Sequence, residues 1–308
     1  MSESSKISTS PVTTTESCEI PQEAFDWYDE YAHGLMDRRT FLAKLSGLAA
    51  IGLSMSVLSA SLMPNYAEAE QVSFNDEDIV AEYVNFPSPK GHGEGRGYFV
   101  KPSKLIGKAP VVLVIHENRG LNPYIKDVAR RLAKQGFIAF APDALYPLGG
   151  YPGNDDEGRS MQKSLDKSKI EQDFIAAALF LKNHEESTGK LGAVGFCFGG
   201  YIVNMLAAAI PDALQAGVPF YGTPAASSLR EKVKGPLLFN FAGLDKRVNA
   251  TWPDYEALLK AKNVEYTAYI YPDVNHGFHN DSTGRYVPES AELAWQRSID
   301  FFKDKLIA

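Results

Sequence analysis

Gly195-Phe196-Cys197-Phe198-Gly199-Gly200 stands between an apolar run, Leu191-Gly192-Ala193-Val194, and a helix-forming one, Tyr201-Ile202-Val203-Asn204-Met205-Leu206-Ala207-Ala208. The first run reads as a buried strand and the second as a helix, so the six residues between them must turn the chain sharply. A strand that passes directly into a helix holds its apex residue in strained backbone geometry. Glycines two before and two after the apex leave room for that turn, and the apex side chain points into a cleft. Here the apex is Cys197, where a G-x-S-x-G nucleophile elbow carries serine. Outside such a frame, a single cysteine reads as a small core hydrophobe.

A nucleophile of this kind needs an acid and a histidine farther along the chain, and both are present. Pro236-Leu237-Leu238-Phe239-Asn240-Phe241 reads as a strand, and Ala242-Gly243-Leu244-Asp245 places a carboxylate just past its end. Tyr266–Tyr271 is the next strand, followed by the loop Pro272-Asp273-Val274-Asn275-His276-Gly277-Phe278. Cys197, Asp245 and His276 therefore occupy three loops that leave the C-terminal ends of strands, where open α/β sheets bind ligands. They come in the order of an α/β-hydrolase triad.

These motifs resemble the dienelactone hydrolase family, the cysteine-dependent branch of the α/β-hydrolases. The resemblance runs from about Ser73 to the C-terminus. It is carried by the G-F-C-F-G-G elbow, Gly243-Leu244-Asp245, Asn275-His276-Gly277-Phe278, and Val114-Ile115-His116-Glu117-Asn118-Arg119-Gly120-Leu121. It implies that Glu117 lies beside the nucleophile and accepts the thiol proton when substrate binds; read alone, Glu117 is an ordinary loop carboxylate. By superfamily geometry the oxyanion donors are the backbone N–H groups of Phe198 and Asn118. The implied reaction is hydrolysis of an ester or lactone through an acyl-cysteine. A thiol with an ordinary pKa of about 8.5 needs such help, because the thiolate is the attacking form. His276, oriented by Asp245, shares its proton and later activates water.

The resemblance also bears on substrate binding. Dienelactone hydrolases proper grip a substrate carboxylate with two arginines. One stands four residues after the catalytic histidine, where this chain has Asn280, and Arg159 is an unaligned match for the other. Arg119 or Arg285 are candidate substitutes, and the loss of one arginine keeps a broader carboxylesterase in play. Tyr221 reads either as a pocket-lining residue or as an interior aromatic. A non-catalytic or redox-sensing thiol protein on a hydrolase scaffold is the reading from another class.

From Glu82 onward, strands alternate with helices, which predicts a doubly wound, mostly parallel sheet with helices on both faces. Val111–Ile115 and Phe137–Ala141 are continuous apolar strands. Asn122 and Pro123 open a helix that stops at Gly136. Tyr146–Asp156 reads as a loop without periodicity, Lys169–Asn183 as a helix, Val218–Tyr221 as a strand and Ala291–Leu306 as a terminal helix.

The chain has 308 residues, 44% of them apolar, and a formal charge of -7 without a basic cluster, which excludes nucleic acid as the expected partner. The expected partner is a small ester or lactone. The two cysteines, Cys18 and Cys197, leave the expected hydrolase domain with one thiol and no internal disulfide. No cofactor is expected. His276 and His279, flanked by Asp273 and Asp281, lack a third ligand at a recognisable spacing, so no metal is expected either.

Residues 1–69 read as a leader ahead of a hydrolase domain at 70–308. Met1–Glu19 is Ser/Thr-rich and expected to be disordered, and Pro21–Tyr31 reads as a short helix. Arg38-Arg39, the apolar run Leu45–Leu62 and Ala67-Glu68-Ala69 have the form of a twin-arginine export signal with a peptidase site. This predicts a periplasmic enzyme whose only membrane encounter is export. The long acidic stretch before Arg38 departs from an ordinary signal. It leaves open a start at Met36, an N-terminal anchor, or a cytoplasmic protein that keeps the segment.

Overall fold

Alternation within the strands assigns their two faces. In Ala109–Ile115, Val111, Leu113 and Ile115 join one buried cluster, while Val112 and Val114 join the other, as expected when successive side chains of a strand point to opposite sides. The computed structural model describes residues 20–49, 62 and 64–307. The Ser/Thr-rich stretch and most of the apolar run after Ala49 lie outside the described residues. The chain divides into two compact units, Met1–Ala60 and Ser61–Ala308.

In the first unit, α1 (Gln22–Ala32) and α2 (Arg38–Ala49) pack through aromatic rings. Phe41 stacks on Tyr31 with ring centroids 4.8 Å apart and meets Tyr28 edge-on at 6.0 Å. Asp37 caps α2 by accepting from the Thr40 N–H at 3.0 Å and the Thr40 hydroxyl at 2.7 Å, and these bonds hold its carboxyl below the usual range. Arg38 and Arg39 therefore form the first turn of a helix. Among the described residues, no helix is long and apolar enough to cross a membrane.

The second unit carries, among the described residues, an eight-stranded sheet in the order β1-β2-β4-β3-β5-β6-β7-β8. The strands are β1 (Ile79–Ser88), β2 (Gly93–Pro102), β3 (Ala109–Ile115), β4 (Ile138–Pro142), β5 (Ser187–Phe196), β6 (Leu214–Phe220), β7 (Leu237–Ala242) and β8 (Tyr266–Tyr271). Strand β2 runs antiparallel to both its neighbours, and the remaining pairs are parallel. One face packs against α3 (Pro123–Lys134) and the long terminal helix Pro288–Leu306; the other packs against Lys167–Lys182, Phe198–Ala209 and Trp252–Ala261. This is the doubly wound α/β-hydrolase arrangement that the alternating elements predict.

Asn122 caps α3 by accepting from the Ile125 N–H, and Pro123 follows at its first position. Three features differ from the sequence reading. The β1–β2 hairpin is hidden by Gly93, Gly95 and Gly97, yet a Cβ at Gly95 would lie 2.2 Å from the Phe86 ring, so aromatic neighbours occupy the space that a side chain would fill. Between the expected loop Tyr146–Asp156 and the expected helix from Lys169 the chain forms a further helix, α4 (Asp155–Ser164), capped by Asn154 and carrying three acids in its first turn. It buries Gly158 and Gln162, and so shows no apolar stripe. The second unit also starts ahead of residue 70: the Asn65 N–H bonds to the Ser282 carbonyl at 2.6 Å, within that unit.

Candidate active site

The helix before β5 is α5 (Lys167–Lys182) and the one after it is α6 (Phe198–Ala209); the elbow that joins β5 to α6 is built by close backbone approach. Cys197 sits at φ 57° and ψ −110°, in the left-handed half of the backbone map, and its N–H bonds to the Phe220 carbonyl at 3.1 Å. A Cβ at Gly195 would lie 2.2 Å from the Gly199 carbonyl oxygen, and one at Gly199 would lie 2.2 Å from that of Ile115. The glycines are thus required by contact between the elbow and its neighbouring backbone. Cys197 caps the N-terminus of α6, where aligned peptide dipoles favour negative charge.

Asp245 follows β7 and caps the single turn α8 (Lys246–Asn249) after the short α7 (Ser227–Arg230). Its Oδ1 accepts from the Val248 N–H at 3.0 Å, which turns Oδ2 toward His276 Nδ1 at 2.5 Å. The loops carrying the two residues are tied by Gly243 N–H to Tyr271 O at 2.7 Å and Leu244 N–H to Val274 O at 3.1 Å. A ring nitrogen of His276 lies within 4.8 Å of Cys197 Sγ. Residues from three separate loops therefore meet.

The loop after β3 brings Glu117 and Asn118 to the same end of the sheet. His116 is fully buried, and its Nε2 accepts from the Ala144 N–H at 3.1 Å, so its Nδ1 donates to the Glu117 carbonyl. Burial pushes its pKa below the ordinary value and keeps the ring neutral. Farther along, Arg119 Nη1 donates to Asp155 at 2.8 Å, and Leu121 N–H reaches Asp143 at 3.3 Å. The Glu117 carboxylate is buried and accepts from Asn280 Nδ2 at 3.1 Å.

Behind this group lies a polar layer of Tyr221, Tyr124 and His279. Tyr221 is 1% exposed, its ring centroid lies 4.7 Å from that of His276, and its φ is 35°. Burial first, then the nearby Glu117 and Cys197, push its hydroxyl well above the usual pKa, so it stays protonated. Tyr124 and His279 Nδ1 share a hydrogen bond of 2.7 Å. Burial and the Arg131 guanidinium hold His279 well below 6.5, hence neutral. Arg131 also grips Asp281.

The fold and the loops place this chain among known proteins. Residues 96–306 match the dienelactone hydrolase family. The chain belongs to that family. A second match, described as YqhI-like, spans residues 13–50. The "Putative hydrolase fragment YghX" of Escherichia coli K12 is 67% identical over 105 residues, which are 34% of this chain and 90% of the fragment. A "Putative carboxymethylenebutenolidase" of Aquifex aeolicus is 35% identical over 68% of this chain and 94% of its own length. The crystal structure of a "Putative Dienelactone Hydrolase" from Klebsiella pneumoniae is 26% identical, with a TM-score of 0.64 over 73% of this chain and 98% of that one. The chain is accordingly a hydrolase.

The residues read as substrate candidates have the following neighbours in the structure. Asn280, 1% exposed, is bonded to Glu117 and, through its Oδ1, to the Ser282 hydroxyl at 2.6 Å. Arg285 is buried and donates to the His276 carbonyl at 2.9 Å, where it holds the histidine loop. Arg119 is directed to Asp155, and Arg159, on α4, meets Asp156 at 3.4 Å. Sequence reasoning did not single out Tyr124, Asp155 or Tyr66. Their bonds join segments far apart in the chain, and no motif marks them.

Proposed function

We propose that this dienelactone hydrolase family member cleaves an ester or lactone through an acyl-cysteine on Cys197. The single observation that carries the reading is the convergence of Cys197, at the N-terminus of α6, with a His276 ring that Asp245 holds at 2.5 Å. In this reading the Cys197 proton passes to Glu117 or His276 as substrate enters, and the thiolate attacks the carbonyl carbon. The tetrahedral oxyanion is met by the N–H groups of Phe198 and Asn118. Collapse breaks the carbon–oxygen bond of the ester, and the departing alkoxide takes the proton that Glu117 or His276 received from Cys197. Water, deprotonated by His276, then attacks the thioester, releasing the acid and returning the thiol. Asp245 fixes the tautomer and orientation of the ring throughout.

A broader carboxylesterase reading is favoured by one feature: Asn280, which stands where dienelactone hydrolases proper carry an arginine, is bonded to Glu117. A substrate without a free carboxylate needs no arginine pair. Turnover of a short-chain p-nitrophenyl ester and of a carboxylate-bearing lactone, each with and without iodoacetamide, tests both readings. Loss of turnover on alkylation, with an acyl adduct on Cys197 found by mass spectrometry, is the expected result. Full activity of the alkylated protein overturns the acyl-cysteine reading, and a strong preference for the lactone overturns the broader specificity.

A further inference from the structure

Residues 64–69 read as the end of a removable leader, yet Asn65 and Tyr66, like Glu70, Gln71 and Val72 just after them, are bonded within the hydrolase unit. Asn65 N–H bonds to Ser282 O, Gln71 Nε2 donates to Asp281 at 2.7 Å, Val72 N–H donates to Asp127 at 2.8 Å, and Glu70 pairs with Arg130 at 2.9 Å. Tyr66 has the most direct bearing on the site. Its hydroxyl donates to Asp155, with the two carboxylate oxygens at 2.8 and 2.9 Å, and accepts from Asn122 Nδ2 at 2.9 Å. Asp155 also accepts from Tyr151 at 2.8 Å and from Arg119 at 2.8 Å.

Arg119 adjoins Asn118, and Asn122 ends the same loop. Tyr66 thus holds that loop at one end directly and near its middle through Asp155. Burial, followed by the Asp155 charge, keeps the Tyr66 hydroxyl protonated, so it remains a donor. We propose that Tyr66 is a positioning residue for the loop whose Asn118 N–H serves as oxyanion donor, which makes residues 64–69 part of the working enzyme. The proposal rests on the acyl-cysteine reading above. Physically, an oxyanion donor acts only when aimed at the place where charge develops, and small displacements cost rate more than binding. A cut after Ala69 would remove Tyr66 and leave Asp155 with a different set of partners.

The test uses the full chain. Tyr66→Phe keeps the ring and removes both hydrogen bonds. Its kcat on a p-nitrophenyl ester should fall about tenfold, a fraction of the loss from deleting an oxyanion donor, while KM stays within about twofold. Alkylation of Cys197 by iodoacetamide forms no oxyanion and should keep its wild-type rate. Asp155→Asn should give a similar kcat loss, and the double variant should be no worse than either single one; it also supplies the readout if Tyr66→Phe does not fold. Wild-type kcat in a folded Tyr66→Phe, an equal loss of alkylation rate, or full kcat in a natural species beginning at Glu70 would each overturn the proposal. Cys197→Ala separates the two readings. Turnover in that variant removes the acyl-cysteine reading, whereas an inactive Cys197→Ala beside a fully active Tyr66→Phe removes only the positioning role.

Discussion

Asn280 Nδ2 donates to Glu117 Oε2 at 3.1 Å, joining the loop after β8 to the loop after β3 beside Cys197. The bond orients a buried carboxylate that, among the described residues, has no arginine as its hydrogen-bond partner. Asn280→Ala should leave Glu117 without this donor, at a cost of about 1–3 kcal/mol in stability. Glu117→Gln should slow acylation in single-turnover experiments while leaving substrate binding intact, because the carboxylate acceptor is lost and the shape is kept. Unchanged acylation in Glu117→Gln would remove the proton-acceptor role.

Variants of the proposed triad separate chemistry from folding. Cys197→Ala should be inactive, with a melting temperature near that of the wild type, since the strained turn is enforced by contacts of Gly195 and Gly199 that the substitution does not touch. Cys197→Ser should retain little activity, because a hydroxyl is far harder to deprotonate in a site suited to a thiol. Asp245→Asn should lower kcat by up to about 10⁴-fold through misorientation of the imidazole. Steady-state kinetics beside thermal denaturation distinguishes these outcomes from simple unfolding.

The elbow also predicts a stability defect. Gly199→Ala places a methyl group 2.2 Å from the Ile115 carbonyl oxygen and 2.9 Å from that of His116. Backbone must move on both sides, so destabilisation should reach at least the usual overpacking cost of about 1–3 kcal/mol. Denaturant titration reads the loss directly, and a midpoint equal to the wild type would show that the elbow can relax.

How much of this was legible in the sequence followed from how local its cause was. The boundaries of β8 came out at Tyr266 and Tyr271, and α3 began at Asn122-Pro123, because apolar runs and capping residues act within a few positions. The loops of Cys197, Asp245 and His276 were legible because each directly follows an apolar strand. Strand β2 was missed because its glycines are complemented by Phe86 and Phe140 from other strands, and α4 because it buries almost no apolar side chain. The duties of Asn280 and Arg285 depend on how the histidine loop folds back on itself and on Glu117. Neighbours in sequence carry no signal of that.

Two buried histidines set the expected response to acid. His279 faces Tyr124 and Arg131 of α3, Phe196 of β5, Phe220 of β6 and Trp295 of the terminal helix. Its folded pKa lies well below 6.5, chiefly through burial and then through Arg131, and that of His116 is lowered mainly by burial. The unfolded chain therefore takes up protons that the native state refuses. Their contribution to stability is full above about 6.5 and declines as the pH falls, by up to about 1.4 kcal/mol per pH unit for each histidine. Asp281 works in the opposite sense: burial raises its folded pKa above 3.8, so its contribution is present in acid and is lost as the pH rises through that raised value. The net expectation between pH 7 and 5 is a falling melting temperature. His279→Gln, which can keep a hydrogen bond to Tyr124, should flatten that decline, leaving the share due to His116. Melting curves from pH 5 to 8 that run parallel for the two proteins would show that His279 is not the group being titrated.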